Sequence, residues 1–395
     1  MKRILRKVTS ICVATFMVAA MSVTAMATEL PSGGVVGDNN PADALDTTLV
    51  IQKDLKVYNP SATEVYGPGV TYSYEIEAGS ANKAITDADG IKALTKAGIG
   101  TPSITATVSY ANDELVNASA TGASNNKPVE IGFDGITFTG AGVYRYKVTE
   151  TCSDKAAHAV IGDETTTIRY LDVYVRDPKT GETGYQIYGY VMFENDSDIN
   201  GFGTGNNLTA VVKTESFSTD SYYTYNLEVS KTLVNDAANE DHAFPFTLAF
   251  TKPSSVTGDF NLIASGSTAA VPMTASIEKG LADGDSIKYT GIPCGTTVAI
   301  TENNDVTAKI YYVTTTGADT ELTDFMLEPG EDTDAVSVTT GAGATGEDKT
   351  VAFTNTYVLI SPTGVAMAVL PFVILLGFGI GFMVISTTKR REEQA

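Results

Sequence analysis

The sequence predicts an all-β fold built as two tandem β-sandwiches, and three observations carry that expectation. Short alternating runs with turn punctuation fill the middle of the chain, no stretch there sustains helical periodicity, and strand-sized words recur in the same order. The alternating runs include Thr48 to Ile51, Thr71 to Ile76, Gly142 to Val148 and Tyr170 to Val175. They are rich in the β-branched and aromatic residues that suit a half-buried pleat. Asp177-Pro178-Lys179-Thr180-Gly181 reads as a turn, and a further strand follows from Tyr185 to Met192. Ile91 to Ala97 has room for one short turn of helix. Asp196 to Asn207 is a polar, Gly-rich loop. Its Gly201-Phe202-Gly203-Thr204-Gly205 is not a phosphate loop, because no helix pattern follows it.

The repeat sets the organisation. Leu49-Val50-Ile51-Gln52-Lys53 is echoed by Leu227-Glu228-Val229-Ser230-Lys231, and Tyr146-Lys147-Val148-Thr149-Glu150 by Val298-Ala299-Ile300-Thr301-Glu302. Thr219-Asp220-Ser221-Tyr222 is echoed by Thr354-Asn355-Thr356-Tyr357. Three echoes in one order mean two copies of one domain. The copies occupy 47–223 and 224–360, with so little linker between them that a stiff rod is expected.

Both ends read as processing segments. Residues 1–27 combine Lys2, Arg3, Arg6 and Lys7, an apolar stretch from Ile11 to Val23, and the small-x-small site Ala25-Met26-Ala27, a secretory signal peptide. Residues 28–46 read as a flexible leader, Gly-, Pro-, Asn- and Asp-rich from Leu30 to Leu45. The far end, 361–395, runs from Ser361-Pro362-Thr363-Gly364 into an apolar stretch from Val365 to Ile385 and then Lys389-Arg390-Arg391. Such a stretch suffices to cross a bilayer as a helix, and the basic cluster keeps its end cytoplasmic. The order of motif, span and basic tail resembles the cell-wall sorting signal of Gram-positive surface proteins. That resemblance implies that a sortase cuts between Thr363 and Gly364 and passes the Thr carbonyl to an amine. The motif departs from the commoner Leu-Pro-x-Thr-Gly form: Ser361 precedes Pro362, and nothing separates Pro362 from Thr363.

Composition narrows the function further. The chain carries 26 basic and 47 acidic residues. Without the two ends, which hold seven basic and two acidic residues, the body has 19 against 45, a net charge of −26. Such a body is soluble and self-repelling and does not bind nucleic acid. Cys12 lies in the signal, and Cys152 and Cys294 lie far apart, so no disulfide is expected. His158 and His242 lack Cys or His partners at metal spacing, no nucleophile elbow is present, and neither metal nor cofactor is expected. Gly377 and Gly381 form a Gly-x-x-x-Gly in a span that processing would discard, and the many tyrosines are strand packing.

Each copy repeats a lysine on its first strand, a glutamate on a late strand and an Asp or Asn on its last. Alternation puts Lys53 on the face of Leu49 and Ile51, and Lys231 on the face of Leu227 and Val229, so both ammonium groups point into a core. A buried ammonium is costly unless it is paired or neutralised, and burial lowers its pKa. The neutral amine is a nucleophile, a neighbouring carboxamide or carboxyl offers an electrophilic carbon, and a buried glutamate can shuttle protons. The product is an amide that bolts the first strand to the last, with loss of ammonia or water.

On these words, above all Tyr-x-Tyr-Lys-Val-Thr-Glu and Phe-Thr-Asn-Thr-Tyr, the mature body resembles Gram-positive major (backbone) pilins with self-formed isopeptide bonds. The resemblance implies two tandem immunoglobulin-like β-sandwich domains. It links Lys231 to Asn355 with Glu302 assisting, and matches Lys53, Glu150 and Asp220 in the first domain. Asp220 stands where these pilins usually carry Asn. The resemblance also implies a polymerising lysine a few residues before the first acceptor. Lys213 occupies that place, and Lys179 in its exposed turn is the runner-up. The expected function is a structural backbone subunit of a sortase-assembled pilus on the cell wall, not an enzyme. Its partners would be sortase, copies of itself, and minor tip and base pilins, with the membrane met only transiently. The alternative is a monomeric wall-anchored adhesin.

Overall fold

A computed structural model describes residues 28–29, 35–36, 44–81, 85–86, 92–93, 95–162, 164–194, 213–307, 309–317, 324–341 and 343–358. The fold is all-β. The first sandwich uses β1 (Thr48–Tyr58), β2 (Val70–Ala78), β3 (Thr107–Tyr110), β4 (Ala123–Gly132), β5 (Gly142–Thr151), β6 (Thr166–Arg176) and β7 (Gln186–Phe193). It is closed by the start of β8 (Asp220–Val234). The second uses the rest of β8 with β9 (Phe244–Thr251), β10 (Ser276–Leu281), β11 (Ser286–Pro293), β12 (Thr297–Glu302), β13 (Tyr311–Gly317), β14 (Val336–Thr339) and β15 (Lys349–Tyr357).

In the first sandwich β1 lies between β4 and β8, and the facing sheet runs β3-β2-β5-β6-β7. In the second the order is β11-β8-β15-β13, faced by β10-β9-β12-β14. Most neighbours are antiparallel, as hairpin-rich sandwiches require. The first and last strands of each sandwich are instead parallel: β1 with β8, and β8 with β15. A whole sandwich serves as the crossover between them.

Burial follows the pleat. On β1 it alternates strictly, with Leu49, Ile51, Leu55 and Val57 inward, and on β2 Val70, Tyr72, Tyr74 and Ile76 do the same. The inner faces bury apolar side chains, among them Phe133, Tyr146 and Leu171 in the first sandwich and Phe246, Ile300 and Phe353 in the second. Across β5 and β6, Arg145 grips Asp172 with Nε to Oδ1 and Nη2 to Oδ2, both at 2.7 Å, a buried bidentate pair.

β8 belongs to both sandwiches without interruption. Asp220 to Tyr223 pair with β1, while Leu227 to Val234 pair with β15. Its buried residues change parity on the way, from Asp220, Tyr222 and Thr224 to Tyr225, Leu227, Val229 and Lys231. Successive side chains of a strand point to opposite faces, so one strand gives one face to the first core and the other face to the second. At the crossover Asn59 Nδ2 donates to Thr224 Oγ1 and Asn226 Oδ1, both at 3.0 Å, and the rings of Tyr58 and Tyr223 stack at 4.4 Å.

Two expectations need correction or completion. The described part of the stretch from Ile91 to Ala97 is strand and not helical turn: Lys92–Ala93 and Thr95–Ala97 are strands, and the latter pairs in parallel with Val143 to Arg145, where the open edge of β5 captures it. The segment read as a leader contributes two-residue strands at Thr28–Glu29 and Val35–Val36, which pair with Leu49–Val50 and with Tyr190–Val191. The signal segment 1–27, the loop 196–207 and the end 361–395 lie outside the described residues. Among the described residues no helix is long and apolar enough to cross a membrane.

Candidate functional site

The alternation that buries Ile51 and Leu55 also buries Lys53, and on β8 the same rule buries Lys231 beside Val229. The acceptors reach them through the parallel pairings. Asp220 lies opposite Leu55, two residues beyond Lys53. Asn355 lies opposite Leu233, two residues beyond Lys231. The register is the same in both sandwiches. Glu150 near the end of β5 and Glu302 at the end of β12 enter from the facing sheets. All six residues are essentially without solvent exposure.

In the first sandwich Lys53 Nζ donates to Glu150 Oε1 at 3.0 Å, to Asp220 Oδ2 at 2.9 Å and to the Ser218 carbonyl at 2.9 Å. Tyr74 donates its hydroxyl to Glu150 Oε2 at 2.8 Å, and the ammonium sits 4.0 Å over the ring of Tyr72. In the second, Asn355 Nδ2 donates to Glu302 Oε1 at 2.5 Å, with Lys231 Nζ 3.5 Å from the same oxygen. Lys231 Nζ also donates to the Thr232 carbonyl at 3.1 Å and lies 4.6 Å over the ring of Phe244. Glu302 Oε2 and Asn355 Oδ1 are buried without a hydrogen-bond partner among the described residues.

Burial sets the electrostatics. It pushes the Lys231 amine down to about 8, partly offset by Glu302, so a useful fraction is neutral near physiological pH. It raises both glutamates: Glu302 against the pull of Lys231, and Glu150 against the pulls of Lys53 and the Tyr74 hydroxyl. An amine that readily loses its proton, beside a carboxyl that readily keeps one, is the pairing acyl transfer to nitrogen needs. The rings of Tyr72 and Phe244 keep water from the reacting atoms.

Lys213 is exposed, and its backbone bridges to Phe193. Lys179 is exposed in its turn, where its amide donates to Glu182 Oε2 at 2.7 Å. Pro362, Thr363 and Gly364 lie outside the described residues. Cys152 and Cys294 are free thiols, and no group of three or more His, Cys, Asp or Glu able to hold a metal occurs among the described residues. One site residue has no precedent in the sequence reading. Lys155, on a short 3-10 turn at Lys155–His158, is buried and donates to Asp220 Oδ1 at 3.0 Å. Nothing in the second copy echoes it, so the repeat carried no signal for it.

Comparison with known proteins adds an independent line. Over 340 residues the chain is 27% identical to a curated protein named Pilin from Streptococcus pyogenes serotype M1, covering 83% of this chain and 86% of that one. The chain is similar to a streptococcal pilin. Residues 225–357, the second sandwich from β8 to β15, match a domain family described only as a domain of unknown function (DUF7601). Among solved structures, the major pilin protein T3.2 of Streptococcus pyogenes is 20% identical at a TM-score of 0.39, covering 82% of this chain and 99% of that one. Another major pilin from Streptococcus pyogenes is 20% identical at a TM-score of 0.41, with 78% and 99% covered.

Proposed function

We propose that this chain is the structural backbone subunit of a covalent pilus, and that its two clusters are sites of self-formed isopeptide bonds. The observation that carries the reading is the repeated geometry. Two buried lysines each face an acceptor two residues further along a parallel partner strand, with a glutamate of raised pKa from the opposite sheet. Surface charges have no reason to recur in one register inside two cores. In the second domain, 224–360, the Lys231 amine attacks Cγ of Asn355. The C–N bond forms, the bond to Nδ2 breaks, and ammonia leaves with a proton passed through Glu302. In the first, 47–223, Lys53 attacks Cγ of Asp220 and water leaves through Glu150.

Polymerisation is the second half of the reading. A sortase would cut between Thr363 and Gly364 and join the Thr363 acyl group to Lys213 of a neighbouring copy, or failing that Lys179. Exposure of both lysines, the motif 362–364 and the likeness to a named pilin support it. The subunit would then lie on the cell surface, its membrane span discarded and minor pilins at tip and base. The test is the intact mass of the body from Thr28 to Thr363, expected to fall short of the sequence mass by one ammonia plus one water. A full mass would overturn the cross-link reading.

A further inference from the structure

The two clusters differ at the acceptor. In the second domain the acceptor is a carboxamide, already neutral, and its Oδ1 has no partner among the described residues. In the first it is a carboxyl group, and both its oxygens are held by ammonium groups: Oδ2 by Lys53 at 2.9 Å and Oδ1 by Lys155 at 3.0 Å. A carboxylate resists nucleophilic attack, because addition to its carbon places further negative charge on its oxygens. A fixed cation against one of those oxygens relieves that cost, and in a buried site it does so far more effectively than in water.

We propose that Lys155 is a fourth catalytic residue of the first domain, the cation that makes Asp220 competent as an acceptor. The inference rests on the reading that Lys53 and Asp220 join. Lys53 gives up a proton to Glu150 and attacks Cγ, and the developing negative charge on Oδ1 lies against the Lys155 ammonium. Glu150 returns the proton toward Oδ2, the Cγ–Oδ2 bond breaks, and water departs. Of the three protons on the Lys53 ammonium, two leave in that water and one stays on the amide nitrogen. Lys155 remains an ammonium throughout, and its hydrogen bond passes to the amide carbonyl.

The surroundings are built for this contact. Lys155 Nζ is fixed by a second bond to the Glu164 carbonyl at 2.7 Å, and it is 5.8 Å over the Tyr72 ring that also underlies Lys53. The turn that carries it ends at Ala159 in the left-handed conformation, φ 56°. Gly162 closes the pocket from behind: a Cβ there would collide with Asp220 Oδ1 and stand 3.2 Å from Lys155 Nζ. The second domain steadies the turn from outside, since the amides of Thr257 and Gly258 both donate to the Ala157 carbonyl, at 3.0 and 2.8 Å.

The test follows the water deficit over time in the full body, sampled by mass spectrometry after a burst of expression. The ammonia deficit of the second domain serves as an internal record of folding. Wild type is expected to lose both, with the cross-link mapped by peptide digestion to Lys53. Lys155→Met should lose ammonia normally and lose water about a hundredfold more slowly, the usual scale for removing one oxyanion donor. Asp220→Asn distinguishes catalysis from mere structural support. With a carboxamide acceptor, whose addition intermediate carries one negative charge fewer, K155M should slow ammonia loss in the first domain clearly less than it slows water loss when residue 220 is Asp. Water loss by K155M at the wild-type rate, equal slowing in the Asp220→Asn background, or a cross-link mapped to Lys155 would each overturn the proposal. A wild-type body with no water deficit would instead remove the first-domain bond itself, whatever Lys155 does.

Discussion

At the scale of single residues, the second cluster makes the sharpest claims. Glu302→Ala should abolish the ammonia deficit, because it leaves Lys231 with no carboxylate and Asn355 Nδ2 with no acceptor. The unlinked domain should also be less stable. A cross-link from β8 to β15 closes a loop on the order of 100 residues, for which the chain-entropy argument gives about 4–5 kcal/mol, read as a fall in Tm. Asn355→Ala keeps the lysine and glutamate but blocks the bond, and so exposes the Lys231 titration. Its folded pKa, about 8, lies below the ordinary lysine value. The penalty for burying the ammonium is therefore fully present below about pH 8 and is relieved as pH rises toward the unfolded value. Tm of N355A should climb over that window relative to a Lys231→Met, Asn355→Ala double variant. A flat difference would mean that the buried amine does not titrate there.

At the scale of elements, β8 is the centre of the molecule. Its change of buried parity depends on the polar junction at Asn59, Thr224 and Asn226, where strand hydrogen bonding passes from one sandwich to the next. Asn59→Ala should cost about 1–3 kcal/mol by leaving buried partners unsatisfied, measured by thermal unfolding. Limited proteolysis of that variant should find the two sandwiches less firmly joined. Much of this level was legible in the sequence. Strict alternation at Leu49, Ile51 and Lys53 announced the strand and the buried lysine together, and the echo of Glu150 by Glu302 located the third partner. What the sequence hid was carried by tertiary context. Lys155 reaches Asp220 from an irregular turn with no periodicity and no counterpart. Ile91 to Ala97 has helix-compatible spacing, but the free edge of β5 offers its Thr95–Ala97 part backbone partners that override local preference. Nor does an unbroken run from Asp220 to Val234 reveal that its two faces serve two different cores.

At the scale of the whole molecule, assembly is the property to test. Replacing Lys213 with Arg keeps the charge but removes the acyl acceptor, since a guanidinium does not take that role. If the proposed assembly holds, the K213R chain coexpressed with a sortase should give a single band where wild type gives a high-mass ladder, and K179R should leave the ladder intact. The reverse result would move the junction to Lys179, and a ladder from both variants would point to a different lysine. A wall-anchored monomer would give no ladder in any of them.

The single strand from Asp220 to Val234 has a mechanical consequence. Tension entering a subunit at Lys213 and leaving at Thr363 would run through β8 to Lys231, cross the side-chain amide to Asn355, and continue toward the exit. The loop between Lys231 and Asn355 would hang beside that line, and the first sandwich would lie upstream of it. Pulling would then find almost no slack to draw out: the fibre would behave as a chain of short covalent links with folded ballast attached, and would break before it lengthened.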